Sequence, residues 1–338
     1  MLLVVNAGSS SIKLALFDGL HQVRSGRVEE IGAQGHAAAL AGLLAQGFGD
    51  GLTAAAHRVV HGGALLTDAC RIDDGVMAAI EACVPLAPLH NPANLVAIRA
   101  LGTLMPALPQ YASFDTAFHA SNPGVAQRYA LPAEAEALGL RRYGFHGISF
   151  AALVRKVREI GGGALPKRLL ALHLGNGASL CAIMDGHSVA TTMGYSPLDG
   201  LTMGTRAGAI DGNAVLRLAE VYGVAEAGRI LNRDSGLKGL GGSSDMRALH
   251  AAGTPEARFA VQHFCYWAIR HAGSMIAAMG GLDAVVFTGG IGENDALVRT
   301  EILNGLDWIA NGKPVWVIPA DEERQIAAEA QVLIGAGY

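Results

Sequence analysis

Apolar and polar positions alternate in two rhythms along this chain. At the N-terminus Leu2-Leu3-Val4-Val5 runs into Asn6-Ala7-Gly8-Ser9-Ser10-Ser11, and Ile12-Lys13-Leu14-Ala15-Leu16-Phe17 then resumes with a period near two. Strand-like runs on both sides of a short polar, glycine-containing stretch predict a β-hairpin. Its turn would gather backbone N–H groups, short hydroxyls and Lys13 in one concave place, which suits a polyphosphate, although an ordinary surface hairpin has the same outline. The outline returns in Leu172-His173-Leu174-Gly175-Asn176-Gly177-Ala178-Ser179-Leu180. An ungapped offset of 167 aligns Asp18-Gly19 with Asp185-Gly186, Gly8 with Gly175 and Asn6 with His173. That offset is close to half of the 338 residues, so the pattern predicts two related domains, each offering one phosphate-cradling hairpin to a shared cleft.

The helical rhythm is clearest after Thr254, an N-cap followed by Pro255 and Glu256. Val261, Phe264, Ala268 and Met275 form its apolar face, and Gly280-Gly281 is its stop. It leads into a strand, Asp283-Ala284-Val285-Val286-Phe287, and then a third glycine-rich turn, Thr288-Gly289-Gly290-Ile291-Gly292-Glu293-Asn294, whose bare backbone would let a flat ligand such as adenine lie close. A last capped helix is expected from Asp321 through Glu322-Glu323 to Leu333. Strand patterns alternating with helical ones predict an α/β fold. No GxxxxGK[ST] sequence occurs, which excludes a P-loop enzyme.

Composition narrows the function classes. With 51% hydrophobic residues the chain can bury a large core, and its length suits two domains. A net charge of −4 gives no electrostatic case for nucleic acid or an anionic membrane. Cys70, Cys83, Cys181 and Cys265 include no CxxC pair, and a reduced, cytoplasmic protein is the expectation. No signal peptide is expected, because Asn6 ends the first apolar run, and no run approaches the ~18 residues that span a bilayer.

Between the hairpins and beyond lie segments dense in reactive side chains. They read AHRVVHGG (56–63), PLAPLHNP (85–92), FDTAFH (114–119), RYGFHG (142–147) and TMGYSPLDGLTMGTRAG (192–208). Arginines and histidines flanked by glycine in apolar sequence are costly in a core without a partner, and an anionic ligand would be one. His57 and His61 have an HxxxH spacing, but Val59-Val60 favour a strand, where i and i+4 share a face ~13 Å apart, too far for one zinc ion.

Together with NAGSSSIK (6–13), HLGNG (173–177), GGSSDMR (241–247), VVFTGGIGEN (285–294) and VIPADEE (317–323), these blocks resemble the acetokinase family, within the actin-like, sugar-kinase-like phosphotransferase superfold. The resemblance covers nearly the whole chain. It implies two duplicated actin-like (ribonuclease H-like) α/β domains around an active-site cleft, with residues 1–116 and 324–338 in the first and 117–323 in the second, nucleotide-binding domain.

Matched position by position, the resemblance implies that Asn6, Ser9, Ser11 and Lys13 are phosphate or metal-shell residues. Arg58 and Arg206 become the clamp on the carboxylate and the transferring phosphoryl group, with His146 a donor to that group. Asp115 and Glu322, with Asn6, would hold Mg²⁺, for which Mn²⁺ can substitute. His173, Asn176 and Gly177 form the second phosphate hairpin, and Asp245, Met246, Arg247, Gly290, Gly292 and Asn294 the nucleotide site. Val60, Leu89, Phe145 and Pro197 would enclose the methyl group of the acyl substrate. The implied activity is reversible, Mg²⁺-dependent phosphoryl transfer from ATP to acetate by a cytoplasmic homodimer.

Elementary chemistry suits this set. A carboxylate acceptor has a pKa near ~4, so it arrives ionised and needs no general base. Anion–anion repulsion is the barrier, and converging arginines, a histidine, a lysine and Mg²⁺ would neutralise it. Each residue has a plainer reading: structural ion pairs for the arginines, a core position for His146, a helix-dipole acid for Glu322. Propionate or butyrate is the neighbouring substrate. A sugar or polyol kinase would use Asp115 as a general base, and a non-catalytic nucleotide clamp would not need Arg58, Arg206 and His146. The chain departs from the family in shortened segments between residues 20 and 53 and between Leu306 and Pro314. It also has Ala207 and Ala209 beside Arg206, where the family pattern carries a hydroxyl and a carboxylate.

Overall fold

The computed structural model describes residues 1–8, 11–31 and 35–337, whose strands form two mixed sheets. In the first, β1 (Leu2–Ala7), β2 (Ile12–Asp18), β3 (His21–Val28), β4 (Ala54–Val59), β5 (Cys70–Arg71) and β6 (Gln110–Phe114) lie in the order β3-β2-β1-β4-β6-β5. In the second, β7 (Arg168–Leu174), β8 (Ala178–Met184), β9 (His187–Thr191), β10 (Ala284–Thr288) and β11 (Val315–Val317) lie in the order β11-β10-β7-β8-β9. Each sheet opens with an antiparallel meander whose first strand then pairs in parallel with one later strand, which pairs in parallel with another. The expected duplication is therefore present strand for strand, with β5 an added antiparallel edge.

The two hairpins do not superpose without a gap. Residues 8–11 connect β1 to β2, but only residues 175–177 connect β7 to β8, so β2 and β3 match β8 and β9 at an offset of 166. Asp18 still pairs with His21 at the end of its strand, while Asp185 sits in the turn itself. Asp185 (φ 50°) and Gly186 (φ 89°) are both left-handed, the backbone that Asp-Gly favours in a two-residue hairpin. The shared Asp-Gly thus marks positions one residue apart.

Strand alternation sorts the core of the first sheet onto two faces. Leu3, Val5, Ile12, Leu14 and Leu16 pack on one face with Leu40, Leu43, Phe48, Ala97 and Leu101, residues of the helices His36–Leu43 and Asn91–Leu104 and of the turn after the former. Leu2, Val4, Ala15 and Phe17 pack on the other with Ile148 and with Ile326, Ala327 and Ala330 of the helix Glu322–Gly335. The C-terminal helix is thereby tied to the N-terminal strands.

The helix Pro255–Met279 starts and stops as its sequence predicts: Thr254 Oγ1 accepts from Ala257 N at 3.2 Å, and Gly280 ends it at φ 68°. Phe264, Ala268 and Met275 are buried, and Val261 only partly so. Two expectations are corrected. The glycine-rich stretch after β10 is a short helix, Gly289–Asn294, rather than an open turn, entered through Gly289 at φ 80°. Asp321 makes no capping hydrogen bond to the last helix; its carboxylate pairs with Arg324 at 3.0 Å.

The chain divides into two compact units: Met1–Ala120 with Gly147–Ala152 and Asp321–Tyr338, and Ser121–His146 with Leu153–Ala320. The sequence boundaries at 116/117 and 323/324 differ from these by a few residues and omit the excursion over 147–152.

Candidate active site

In the first unit, register builds a polar row across the strand ends. Asn6 pairs with Lys13, and Val5 pairs with His57, so Asn6 falls beside Arg58. Arg58 pairs with Ser113, and the period of two puts Asp115, just past β6, on the same face. These are the carboxyl ends of the parallel strands β1, β4 and β6, where open α/β sheets gather their ligands.

Arg58 Nη2 donates to Asp115 Oδ2 at 2.6 Å and its Nε lies 3.2 Å from both Asp115 oxygens, while Nη1 donates to Asn6 Oδ1 at 3.2 Å. Asn6 Nδ2 donates to Glu323 Oε1 at 3.3 Å, and Lys13 Nζ pairs with Glu323 Oε2 at 2.9 Å. Burial opposes the charge on Arg58, but Asp115, Glu322 and Glu323 outweigh it and hold the guanidinium pKa above its ordinary value. Three carboxylates face two cations here, and the surplus falls on Glu322. Burial first, then Asp115 and Glu323, push its carboxyl up to about 7 against the pull of Arg58 and Lys13. Ser11 lies in the turn, its carbonyl accepting from Gly8 N at 2.8 Å; Ser9 lies outside the described residues.

The second unit repeats the row. His173 pairs with Ser179 on one side and Thr288 on the other. His146 Nδ1 lies 2.8 Å from Ser179 Oγ, and its ring stacks on His173 with centroids 4.1 Å apart. His146 holds a left-handed backbone, φ 58°, unusual outside glycine and a marker of functional positions. Arg206 Nη1 donates to Pro197 O at 3.2 Å and lies 3.7 Å from Met203 Sδ. Among the described residues no carboxylate pairs with Arg206, and burial lowers its pKa. A Cβ on Gly177 would lie 3.2 Å from His146 Nε2 and 3.6 Å from Arg206 Nη1, so the imidazole and the guanidinium flank a bare turn. Ala207 and Ala209 are held through their backbones, Ala207 N to Leu231 O and Ala209 N to Gly200 O, so neither missing side chain is needed to hold this loop.

Beside that turn is a pocket of about 860 Å³, lined by Asn176, Asp245, Met246, Arg247, Gly290 and Asn294 together with Gly175, Ser244, His250, Ile291, Asp295, Ala296 and Leu297. Its volume is that of a nucleotide-sized ligand site. Asp245 caps the helix Met246–Ala252 through Arg247 N at 2.9 Å and pairs with the Arg247 guanidinium at 2.8 Å. A Cβ on Gly290 would meet nothing within 4 Å, so the backbone is open there. Gly292 lies apart from the lining, buried with its Cβ direction toward Leu174 and Phe287.

Of the four residues expected to enclose the acyl methyl group, two fall in each unit. Val60 is buried and its N–H donates to Asn94 Oδ1 at 3.1 Å, while Leu89 is 49% exposed; both belong to the first unit. Phe145 is buried and Pro197 partly buried in the second. His57 Nε2 sits 2.7 Å from the Gln110 amide, and His61 Nδ1 accepts from Gly63 N at 2.9 Å, so both have structural partners. Sequence reasoning missed Glu323, Ser179, His250 and Asp295. It also missed Asn91 and Asn94, whose amides hold the backbone of Val60 and His61. Asn91 and Glu323 lie inside the quoted blocks PLAPLHNP and VIPADEE, Ser179 lies in the second hairpin pattern, and Asn94, His250 and Asp295 stand a few residues beyond a block.

The profile of the acetokinase family matches residues 45–326. An acetate kinase of Pseudomonas aeruginosa is 44% identical and one of Methylocella silvestris 41%, with 98% of this chain and 98% and 97% of theirs covered. The first alignment runs over 391 positions although this chain has 338 residues, so the relative is the longer of the two. Among solved structures, Porphyromonas gingivalis acetate kinase matches with a TM-score of 0.88 at 33% identity over 98% of this chain and 99% of that one. A propionate kinase from Francisella tularensis matches with 0.89 at 33% over 97% and 98%. A hexokinase from Thermus thermophilus, at 15% identity and a TM-score of 0.51, shares the fold.

Proposed function

The chain belongs to the acetokinase family, and on that premise we propose that it transfers the γ-phosphoryl group of ATP to acetate, reversibly, giving acetyl phosphate and ADP. An acetate oxygen forms the new bond to the γ-phosphorus as the bond to the β,γ-bridging oxygen breaks, and ADP leaves with that electron pair. The observation that carries this reading is Arg206: a part-buried cation that donates to a carbonyl and a thioether and, among the described residues, pairs with no carboxylate, beside His146 at a bare glycine turn. A guanidinium so placed lacks an anion, and a phosphoryl group in transfer supplies one.

Asp115 supports a carboxylate rather than a hydroxyl acceptor. Both its oxygens already accept hydrogen bonds from Arg58, so the carboxylate is engaged by the guanidinium rather than standing free to receive a hydroxyl proton. A sugar hydroxyl would need a base in that place; acetate does not. The pocket beside Gly290 would take the adenosine of ATP, with Arg247 released from Asp245 to stack or pair with it.

The donor set fits a magnesium ion. It offers hard oxygens in three carboxylates against two cations, with the Glu322 carboxyl raised first by burial and then by Asp115 and Glu323, so that a further cation there would favour its ionised form. Mg²⁺ is usually held by one or two carboxylates plus substrate phosphates, so a dedicated cage is unnecessary. Glu322, with Asp115 and Asn6, would hold it, and the ion would supply charge neutralisation on the phosphates. Lys13 and Arg58 orient the oxygens around it.

Propionate is the second reading, because a propionate kinase is as similar in structure as an acetate kinase. We further propose a cytoplasmic homodimer. Four cysteines that form no disulfide among the described residues suit a reducing compartment, and Phe259 and Tyr266 leave an exposed aromatic face on the helix Pro255–Met279. Arg206→Ala tests the central role. It should lower kcat by at least ~10², with the KM for ATP nearly unchanged, because the guanidinium meets charge that develops in the transition state. A variant with near wild-type kcat would remove Arg206 from the reaction.

A further inference from the structure

Two loops of the second unit carry groups assigned to the reaction. Residues 142–146 end in Phe145 and His146, and residues 194–199 contain Pro197, whose carbonyl holds Arg206. The loops are fastened at two levels. In the backbone, Gly194 O accepts from Tyr143 N at 3.0 Å and Gly144 N at 3.2 Å. In the side chains, Arg142 Nη1 donates to Asp199 Oδ2 at 2.9 Å, and the Arg142 guanidinium lies 4.5 Å from the centre of the Tyr129 ring. Tyr129 Oη in turn accepts from Tyr195 N at 3.0 Å. Asp199 Oδ1 accepts from Gly200 N at 2.8 Å, which fixes the carboxylate in its own loop.

The closure depends on Gly194. A Cβ there would lie 2.5 Å from Asp199 Oδ2 and 2.5 Å from Tyr129 Oη, so those two oxygens close over it only because it is bare. None of Tyr129, Arg142, Gly194 and Asp199 has a part in the chemistry proposed above. Their shared product is the relative position of two loops, one bearing His146 and the other the anchor of Arg206.

We propose that Arg142, Tyr129 and Asp199, closed over Gly194, form a clasp that positions these two loops and thereby sets acyl-chain selectivity. Asp199 is the positioning residue at its centre, acting through Arg142 on the 142–146 loop and through its own backbone on Pro197. The pair is only part-buried, with side chains 38% and 34% exposed, so the clasp contributes little to global stability but much to register. The inference rests on the reading of this chain as a carboxylate kinase and names what tunes that site.

The test is steady-state kinetics of the full-length enzyme with acetate and with propionate, for Asp199→Asn, Asp199→Glu and Gly194→Ala. Asp199→Asn weakens the clasp by removing charge, Gly194→Ala forces it open with every charge retained, and Asp199→Glu keeps a carboxylate for Arg142. For the first two we expect a rise of about 10-fold in the KM for acetate, a shift of at least ~3-fold in the propionate-to-acetate ratio of kcat/KM, and a KM for ATP within ~2-fold of wild type. Asp199→Glu should return the ratio most of the way. Wild-type behaviour in both opened variants, or parallel losses in kcat and both KM values with a lowered Tm, would overturn the clasp. A wild-type enzyme that phosphorylates neither acid would overturn the functional reading instead.

Discussion

Glu322 and His57 are both ionisable groups held away from their ordinary pKa, in opposite directions and both chiefly by burial. Burial and the neighbouring carboxylates Asp115 and Glu323 raise the Glu322 carboxyl to about 7. Replacing it with glutamine removes that carboxyl without leaving a cation unpaired, since Arg58 keeps Asp115 and Lys13 keeps Glu323. Glu322→Gln should therefore fold with an unchanged or higher Tm, yet raise the Mg²⁺ concentration for half-maximal rate by at least ~10-fold. An unchanged Mg²⁺ requirement would take Glu322 out of the metal shell. His57 is lowered from 6.5 to about 4 by burial, opposed by its contact with Gln110, and burial lowers His61 to about 4 as well. Above pH 6.5 each ring is neutral both folded and unfolded and costs nothing. As pH falls from 6.5 to 4 the unfolded chain takes up protons that the native state refuses, so stability drops by up to about 3 kcal/mol for each fully buried ring. Thermal melts from pH 7 to 4 should show this loss, and His57→Gln should flatten part of it. A slope identical to wild type would mean that His57 titrates normally when folded.

At the scale of elements, the hairpins, the capped helix Pro255–Met279 and the strand before Thr288 were legible because local rules govern them: alternation, an N-cap, a stop at paired glycines. The slip between the two Asp-Gly pairs was not. A one-residue difference in turn length leaves hydrophobic patterns intact and appears only when strands pair. The helix Gly289–Asn294 was hidden by its glycines, poor helix formers held by the fold around them, with Arg299 Nη1 donating to Gly292 O and Glu293 O at 2.9 Å. Around the candidate site, motif blocks pointed to Arg58, Asp115, His146 and Arg206, which the structure sets beside Asn6, Glu323 and Ser179; the contacts themselves were not legible, because they join residues distant in sequence: Glu323 lies 317 residues from Asn6 and Ser179 lies 33 from His146. Gly290 gives a test at this scale. Gly290→Ala adds a methyl group into open space at the pocket proposed for adenosine, so the Tm should stay put while the KM for ATP rises several-fold with kcat little changed. An unaltered KM for ATP would move the adenosine elsewhere.

Across the whole molecule, one sheet plan is used twice and specialised differently. The first copy sets Lys13, Asn6 and Arg58 across its strand ends and the second sets Ser179, His173 and Thr288. Arg58 belongs to the duplicated plan, standing where the second sheet has Thr288, whereas Arg206 comes from a loop outside the sheet. Arg58 is paired with Asp115, while Arg206 has no carboxylate partner among the described residues. The measurement that tests this account most directly is trapping of the product by hydroxylamine, using purified protein, ATP and Mg²⁺ with acetate, propionate, butyrate, formate or glycerol. The account predicts acyl hydroxamate formation that requires ATP and Mg²⁺, with acetate leading propionate by roughly 10- to 200-fold, the value of one methylene in an apolar pocket, and ADP production with glycerol no faster than without an acceptor. Phosphorylation of glycerol, or no hydroxamate from any of the acids, would contradict it.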